Sequence, residues 1–268
     1  FYKTIFGTFG QGYAFHLEEA FAKARGEFLE RYTLVSVSYK NLIFKNASPR
    51  ELRDVRYAFL DPVDISHFSP TQMAASKKMC FDDSSRFGWV EGRRMFDNKK
   101  ILIPAQLVFW DYFRGHTEEP LLRESNTNGS AGMFSRTEAL IAGLCELIER
   151  DAFFVFWLHS IVPPRIDLGT IADEEIQRIR TSIERYHLRL EIFDITSDIH
   201  VPAFFALLIG GTEKDAQIGV GAGCGLNPLR GIKSAVLDAV AVYHEMPRFR
   251  EIGRLSEKSH YLATHAAY

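Results

Sequence analysis

Two stretches of this 268-residue chain repeat one acid pattern, and little else in the sequence constrains it as tightly. The stretch GQGYAFHLEEAFAKARGEFLERY puts Gly10 and Gly12 ahead of a helix that carries Glu27, Glu30 and Arg31. From Ser125 to Asp151, SNTNGSAGMFSRTEALIAGLCELIERD puts Asn128 and Gly129 ahead of a helix that carries Glu146, Glu149 and Arg150. A spacing of three sets the two acids of each pair on one side of a helix, one turn apart, where they repel unless a cation or an arginine lies between them. Large apolar residues interleave the acids in EFLERY and ELIERD. The carboxylates therefore lie beside a core, where a charged group needs a partner. A single ExxER is ordinary helix-surface vocabulary. Two of them behind two glycine turns point to four carboxylates gathered around a divalent metal and a nucleotide phosphate tail. Oxygen ligands with no convergent His or Cys suit Mg2+.

Periodicity supplies the frame. Tyr2 to Phe9 mixes β-branched and aromatic residues and reads as a strand. Leu17 to Leu34, Thr137 to Phe156, Ala172 to Tyr186 and Leu229 to about Tyr243 show apolar residues at helical spacing. Phe87 to Trp89, Lys100 to Phe109, Arg189 to Asp194 and Ala203 to Ile209 read as strands, the last with the unbroken apolar run of a strand buried on both faces. Residues 41 to 85 hold Pro49, Pro62 and Pro70 and read as loop with short helical pieces. A third glycine-rich turn, GVGAGCGLNP from Gly219 to Pro228, precedes the last helix, which carries Asp238. The expected fold is α/β: mixed sheets with packed helices, built from internally duplicated strand-turn-helix units and forming one domain over residues 1 to 268. Trp110, Tyr112 and Phe113 read as core aromatics.

Helix-opening glycine turns expose backbone N–H groups and a positive helix end to anions. No GxxxxGK[ST] occurs, and GVGAGCG fills only part of GxGxxG. Taken one at a time, the glycines are best explained by tight turns that need positive φ. Cys145 has no nearby His and reads as a structural thiol, while His16, His159 and His244 are scattered. Arg31 and Arg150 have two readings, neutralising the acids or gripping phosphate. A net charge of -2 gives no bulk electrostatic case for nucleic acid or an anionic membrane. Three separated cysteines make neither a disulfide framework nor a zinc site, and no apolar run is long enough to span a bilayer, so a cytoplasmic location is expected. The chain starts at Phe1 and reads as a piece of a longer protein.

The stretch TNGSAGMFSRTEALIAGLCELIERDA, together with GQG and EEAFAKARGEFLERY, resembles the YcaO superfamily of ATP-dependent enzymes that activate backbone amides. The likeness extends through Trp89 to Gly92, LIPAQLV and GAGCGLNP. The resemblance implies an α/β fold and ATP and Mg2+ as cofactors. It also implies cyclodehydration of Cys, Ser or Thr in a ribosomally made peptide to azolines, with thioamide or amidine formation as the same activation by another nucleophile. Carried over residue by residue, Glu27, Glu30, Glu146 and Glu149 match the family's Mg2+ ligands, and Asn128, Ser135, Glu138 and Arg150 fall in its nucleotide-binding segment. Gln11 stands where the family commonly has the Lys of GKG. Ser234 and Asp238 stand where its third helix commonly has Arg and Glu, which leaves Asp238 able to accept a hydrogen bond or reach metal through water. These departures keep a second class open, a YcaO-like scaffold that binds peptide or partner without turnover. The implied partners are a precursor peptide and a leader-binding protein, and self-association as a homodimer stays open. No catalytic residue is assigned.

Overall fold

The structure is a computed structural model and describes residues 2–6, 10–14, 16–35, 45–110, 112, 118–211 and 217–255. The last three residues of the expected first strand, 7–9, and Phe113 lie outside them. Contacts divide the chain into two compact units: Phe1–Ile5, Gln11–Ala24 and Asn128–Tyr268 form one, and Phe6–Gly10 with Arg25–Thr127 the other.

The larger unit is built on a four-stranded sheet of β6 (Arg165–Ile166), β7 (Arg189–Asp194), β8 (Ala203–Gly210) and β9 (Gln217–Cys224), in that order. Every pairing in it is antiparallel, so the mixed sheet expected from the sequence is corrected on this point. β8 is interior and buried along both faces, as its apolar run predicts. Its even positions Phe204, Ala206 and Leu208 pack with Ile176, Ile179 and Ile183 of α5 (Glu174–Arg185) and Ile232, Ala235, Val236 and Ala239 of α6 (Pro228–Leu255). Its odd positions Ala203 and Phe205 pack with Ala152, Phe153 and Phe156 of α4 (Arg136–Leu158). The strand's two-residue period therefore places α4 on one face of the sheet and α5 with α6 on the other.

The stretch expected to be a third glycine turn is instead strand β9. Gly219, Gly221 and Gly223 fall on one face of it, and a Cβ at each would meet backbone of α6, at Ala239, Ala235 and Gly231 respectively. Missing side chains here serve close strand-to-helix approach rather than positive φ. The first turn is corrected for the same reason. Gly10 and Gly12 lie in strand β2 (Gly10–Ala14), which pairs with β1 (Tyr2–Phe6), and a Cβ on Gly12 would meet Ala20 and Ala24 of helix α1 (Leu17–Val35). Both strands lay a glycine against two helical alanines four residues apart.

In the smaller unit, β3 (Lys45–Ala47), β4 (Phe87–Arg93) and β5 (Lys100–Pro104) make an antiparallel sheet in sequence order. Trp89 is fully buried with Phe87, Leu52, Leu102 and Leu122, and its indole N–H donates to the Ala47 carbonyl at 2.8 Å. The three prolines of the loop stretch each open a helical turn, where a missing N–H costs nothing: Pro49 begins α2 (Pro49–Asp54), Pro62 a 3-10 turn, and Pro70 α3 (Pro70–Ala75). Ser48 with Glu51, and Ser69 with Gln72, form reciprocal capping boxes that satisfy the first N–H groups of α2 and α3. β5 ends at Pro104, and the chain from there to Ser135 is a 3-10 turn and irregular segments, so among the described residues α4 has no strand leading into it. The expected second strand-turn-helix unit is a loop and a helix.

Candidate nucleotide and metal site

Helix α4 carries the better-defined half of the acid pattern. Ser135 is its N-cap and accepts from the Glu138 N–H at 3.2 Å, while the Ser135 hydroxyl donates to the Glu138 carboxylate at 2.9 Å. These two residues, assigned to the nucleotide-binding segment by the family resemblance, thus also have a helix-capping role. Three turns on, Glu146 accepts the Gly129 backbone N–H on Oε2 at 3.0 Å. Gly129 has φ +83, the left-handed conformation expected of it, and its backbone lies against Gly143 of α4, where any side chain would strike the Gly129 carbonyl. Two glycines therefore let the polar loop containing Asn128 press onto the helix and hold one acid by its main chain.

Glu149, one turn further, is buried at 9% exposure. Burial pushes its carboxyl above the usual carboxylate range and the Glu146 charge adds to this, while Arg150 and a hydrogen bond from the Cys224 backbone N–H act the other way. Arg150 reaches Glu149 at 3.4 Å and Glu146 at 3.7 Å, loose contacts from a half-exposed guanidinium. Two carboxylates one turn apart, one of them desolvated, form a donor set that suits a hard cation. Burial, with help from Cys145 and Glu149, pushes the Cys224 thiol up to about 12, and Cys145 beside it is half-buried, which fits structural thiols better than nucleophiles.

The raised carboxyl makes metal-free stability depend on pH. The folded chain favours protonated Glu149, so the stability this group contributes is present below its unfolded value, about 4.3, and is lost as pH rises through the higher folded value. Denaturant unfolding of metal-free wild type and Glu149→Gln from acid to neutral pH should show the variant gaining relative to wild type as pH rises. A difference that stays flat with pH would show that burial does not disfavour this charge.

In the smaller unit, Glu27 and Glu30 are half-buried on the second half of α1. Arg31 pairs with Glu27 at 2.5 Å, and its guanidinium lies 5.6 Å from the centre of the Trp110 ring. Of its two readings the structure supports the neutralising one. Gln11 is exposed on β2 and accepts from the Tyr13 hydroxyl at 2.8 Å. Asp238 and Ser234 are exposed on α6, which packs on the face of the sheet opposite α4; Asp238 stands beside Gly221 of edge strand β9. Glu146, Glu149, Arg150 and the Asn128 loop are thus brought together. Among the described residues no three His, Cys, Asp or Glu groups converge closely enough to hold a metal by themselves. A divalent ion at Glu146 and Glu149 would draw other ligands from water and phosphate. Sequence reasoning missed the Gly129 and Cys224 N–H groups that hold the two acids.

The family description "YcaO cyclodehydratase, ATP- and Mg2+-binding" matches residues 11–267. The chain belongs to the YcaO family. Its ATP and Mg2+ dependence is thereby given at the family level. Among curated relatives, an uncharacterized protein from the tfuA 3′ region of Rhizobium leguminosarum bv. trifolii is 29% identical over 210 residues, 70% of this chain and 49% of that protein. An uncharacterized protein of Methanothermobacter thermautotrophicus is 28% identical over 151 residues, 55% of this chain and 38% of that protein. The YcaO chain therefore spans less than half the length of these relatives. Among solved structures, a heterocyclase in complex with substrate and cofactor aligns with a TM-score of 0.74 at 22% identity, covering 86% of this chain and 32% of that one. The Methanopyrus kandleri YcaO bound with AMPPCP and Mg2+ aligns with a TM-score of 0.63 at 21% identity, covering 89% and 55%. The E. coli microcin synthetase McbBCD complex with pro-MccB17 bound aligns with a TM-score of 0.63 at 17% identity, covering 92% and 61%. These likenesses bear out the α/β YcaO fold. No helix among the described residues is long and apolar enough to cross a membrane.

Proposed function

We propose that this YcaO chain carries the nucleotide site of an enzyme that activates backbone amide oxygens in a ribosomally made precursor peptide, and that the reaction is cyclodehydration to azolines. A Cys, Ser or Thr side chain of the substrate attacks the preceding carbonyl, the resulting oxyanion takes the γ-phosphoryl group with ADP leaving, and loss of phosphate and a proton closes the double bond. The net change is one water removed from the peptide and one ATP split to ADP and phosphate. Mg2+ supplies charge neutralisation for the transferred group. The observation that carries this reading is the Glu146–Glu149 pair, one turn apart on α4, each acid held by a main-chain N–H group from a separate segment and Glu149 desolvated. The family resemblance alone adds Glu27 and Glu30 as metal ligands and Asn128, Ser135, Glu138, Arg150, Gln11 and Asp238 as nucleotide-binding residues. A leader-binding protein would present the peptide; one solved structure similar to this chain is a microcin synthetase complex with pro-MccB17 bound.

The test is mass spectrometry of short peptides encoded beside the gene after incubation with the chain, its encoded neighbours, ATP and Mg2+. Loss of water at Cys, Ser or Thr supports cyclodehydration. Exchange of an amide oxygen for sulfur, when sulfide is supplied, supports the thioamide branch, and incorporation of an amine supports the amidine branch. Peptide binding with no ATP consumed supports the scaffold and overturns the enzyme reading.

A further inference from the structure

β9 is the outer strand of the four-stranded sheet, and among the described residues no strand pairs with its far edge. Its register against β8 runs from Ala203 opposite Cys224 to Gly210 opposite Gln217. One residue beyond, the Gly225 N–H donates to the Pro202 carbonyl at 3.1 Å, which makes Pro202 and Gly225 a hydrogen-bonded pair. Antiparallel ladders alternate bonded with non-bonded pairs. Cys224, Ala222, Val220 and Ile218 therefore occupy non-bonded positions and turn their N–H and C=O groups away from β8. Two hydrogen bonds agree with this alternation. The Ala203 carbonyl, opposite Cys224, accepts from Ile195 just past β7 at 2.9 Å, and the Cys224 N–H donates to Glu149.

The same residues carry the side chains on the α4 face of the sheet, opposite the glycines that face α6. α4 covers the Cys224 end, where Ala222 is buried, and leaves Ile218 44% and Val220 40% exposed. Outer strands ordinarily resist further pairing by means of a lysine, a proline or a bulge. QIGVGAGC has no charged residue and no proline. Unused donors, unused acceptors and apolar side chains thus share one undefended stretch, the complement of an extended main chain. At its end Glu149 already stands where a neighbouring strand would place a carbonyl, because it takes the Cys224 N–H. Val220 lies four residues from Cys224, about 13 Å along the strand. A chain added beside β9 is therefore aimed along the strand at the acid pair, and main-chain amides are what the proposed reaction consumes.

We propose that the free edge of β9 at Ile218 and Val220 binds an extended segment of the peptide substrate as a fifth strand and directs it toward Glu146 and Glu149. This rests on the amide-activating function above, and the two can fail separately. Main-chain hydrogen bonds made in water add little net affinity, so the edge aligns a peptide that the leader-binding protein delivers. Hydrogen exchange would be measured on the chain with its encoded neighbours and Mg2+-AMPPCP, with and without the short peptide encoded beside the gene. ATP consumption would then be followed as that peptide is titrated. Slower exchange at Ile218 and Val220 is expected when peptide is added. Val220→Pro removes an N–H that β8 does not use, so the ladder survives. It is expected to raise the peptide concentration for half-maximal ATP consumption at least about tenfold, with the ATP requirement unchanged. Val220→Thr keeps the N–H and is expected to match wild type. The exchange measurement needs only wild type and decides the matter if Val220→Pro does not fold. ATP consumption without protection at these two residues, or Val220→Pro saturating at the wild-type peptide concentration, would overturn the proposal and leave the function standing. Protection there with no ATP consumed would keep the edge site and overturn the enzyme reading. Protection already present without peptide and rising with protein concentration would give the edge to a second copy and sink the proposal. Neither protection nor ATP consumption would overturn both.

Discussion

The Glu146→Gln/Glu149→Gln double substitution is expected to weaken Mg2+-ATP binding by more than about a hundredfold while leaving the chain folded. Each substitution removes a carboxylate from the proposed cation site and keeps the shape and one accepting oxygen, so the Gly129 and Cys224 N–H groups retain a partner. Contacts to charged groups contribute about 1.5–3 kcal/mol each, and two of them together correspond to at least two decades in affinity. The empty protein should hold or gain stability, because a buried and only loosely paired carboxylate is gone. Calorimetry gives the affinity and denaturant unfolding the stability. Retained affinity in a folded double variant would remove the acid pair from the site and leave the YcaO fold untouched.

The second large effect lies far from any charge. Gly221→Val is expected to destabilise the chain by more than about 3 kcal/mol, a substantial part of the 5–15 kcal/mol that typically separates folded from unfolded domains. A Cβ there would fall on the Ala235 carbonyl and the Ala239 N–H of α6, backbone atoms that no rotamer change can clear. Gly221→Ala should cost about 1–3 kcal/mol by the same contact. Gly225→Ala serves as the control, because a Cβ at Gly225 meets nothing nearer than 3.7 Å. Urea midpoints of the three variants test the ranking, and a Gly221→Val midpoint equal to that of Gly225→Ala would mean that strand and helix are not in contact.

The parts of this fold that were legible in the sequence are those whose apolar residues have a period. Helices α1, α4 and α5 and strand β8 announce themselves because packing requires side chains at regular intervals on a defined face. Strands β2 and β9 do not, because their packing requires side chains to be absent. GQG and GVGAGCG carry the letters of a turn, and only the alanines opposite, Ala20 with Ala24 and Ala235 with Ala239, distinguish a glycine used for close approach from one used for positive φ. The acids of the site were legible from spacing, and their supports were not: the groups that hold Glu146 and Glu149 are main-chain donors of Gly129 and Cys224, and a main-chain donor has no letter of its own. The antiparallel direction of the four-stranded sheet was hidden because β7, β8 and β9 follow one another without an intervening helix, a fact that emerges only once β9 is seen to be a strand.

That same run of chain bears on how the molecule assembles itself. β8, β9 and α6 are consecutive, and their mutual contacts are made between residues close in sequence, with Gly210 facing Gln217 at one end of the strand pair and α6 folding back directly onto β9. Short separations keep the entropy lost on closing each loop small and favour rapid formation. α4 must instead wait for a sheet whose strands are made some fifty residues later in the chain, so the helix that bears the acids docks onto a platform that its own sequence cannot nucleate.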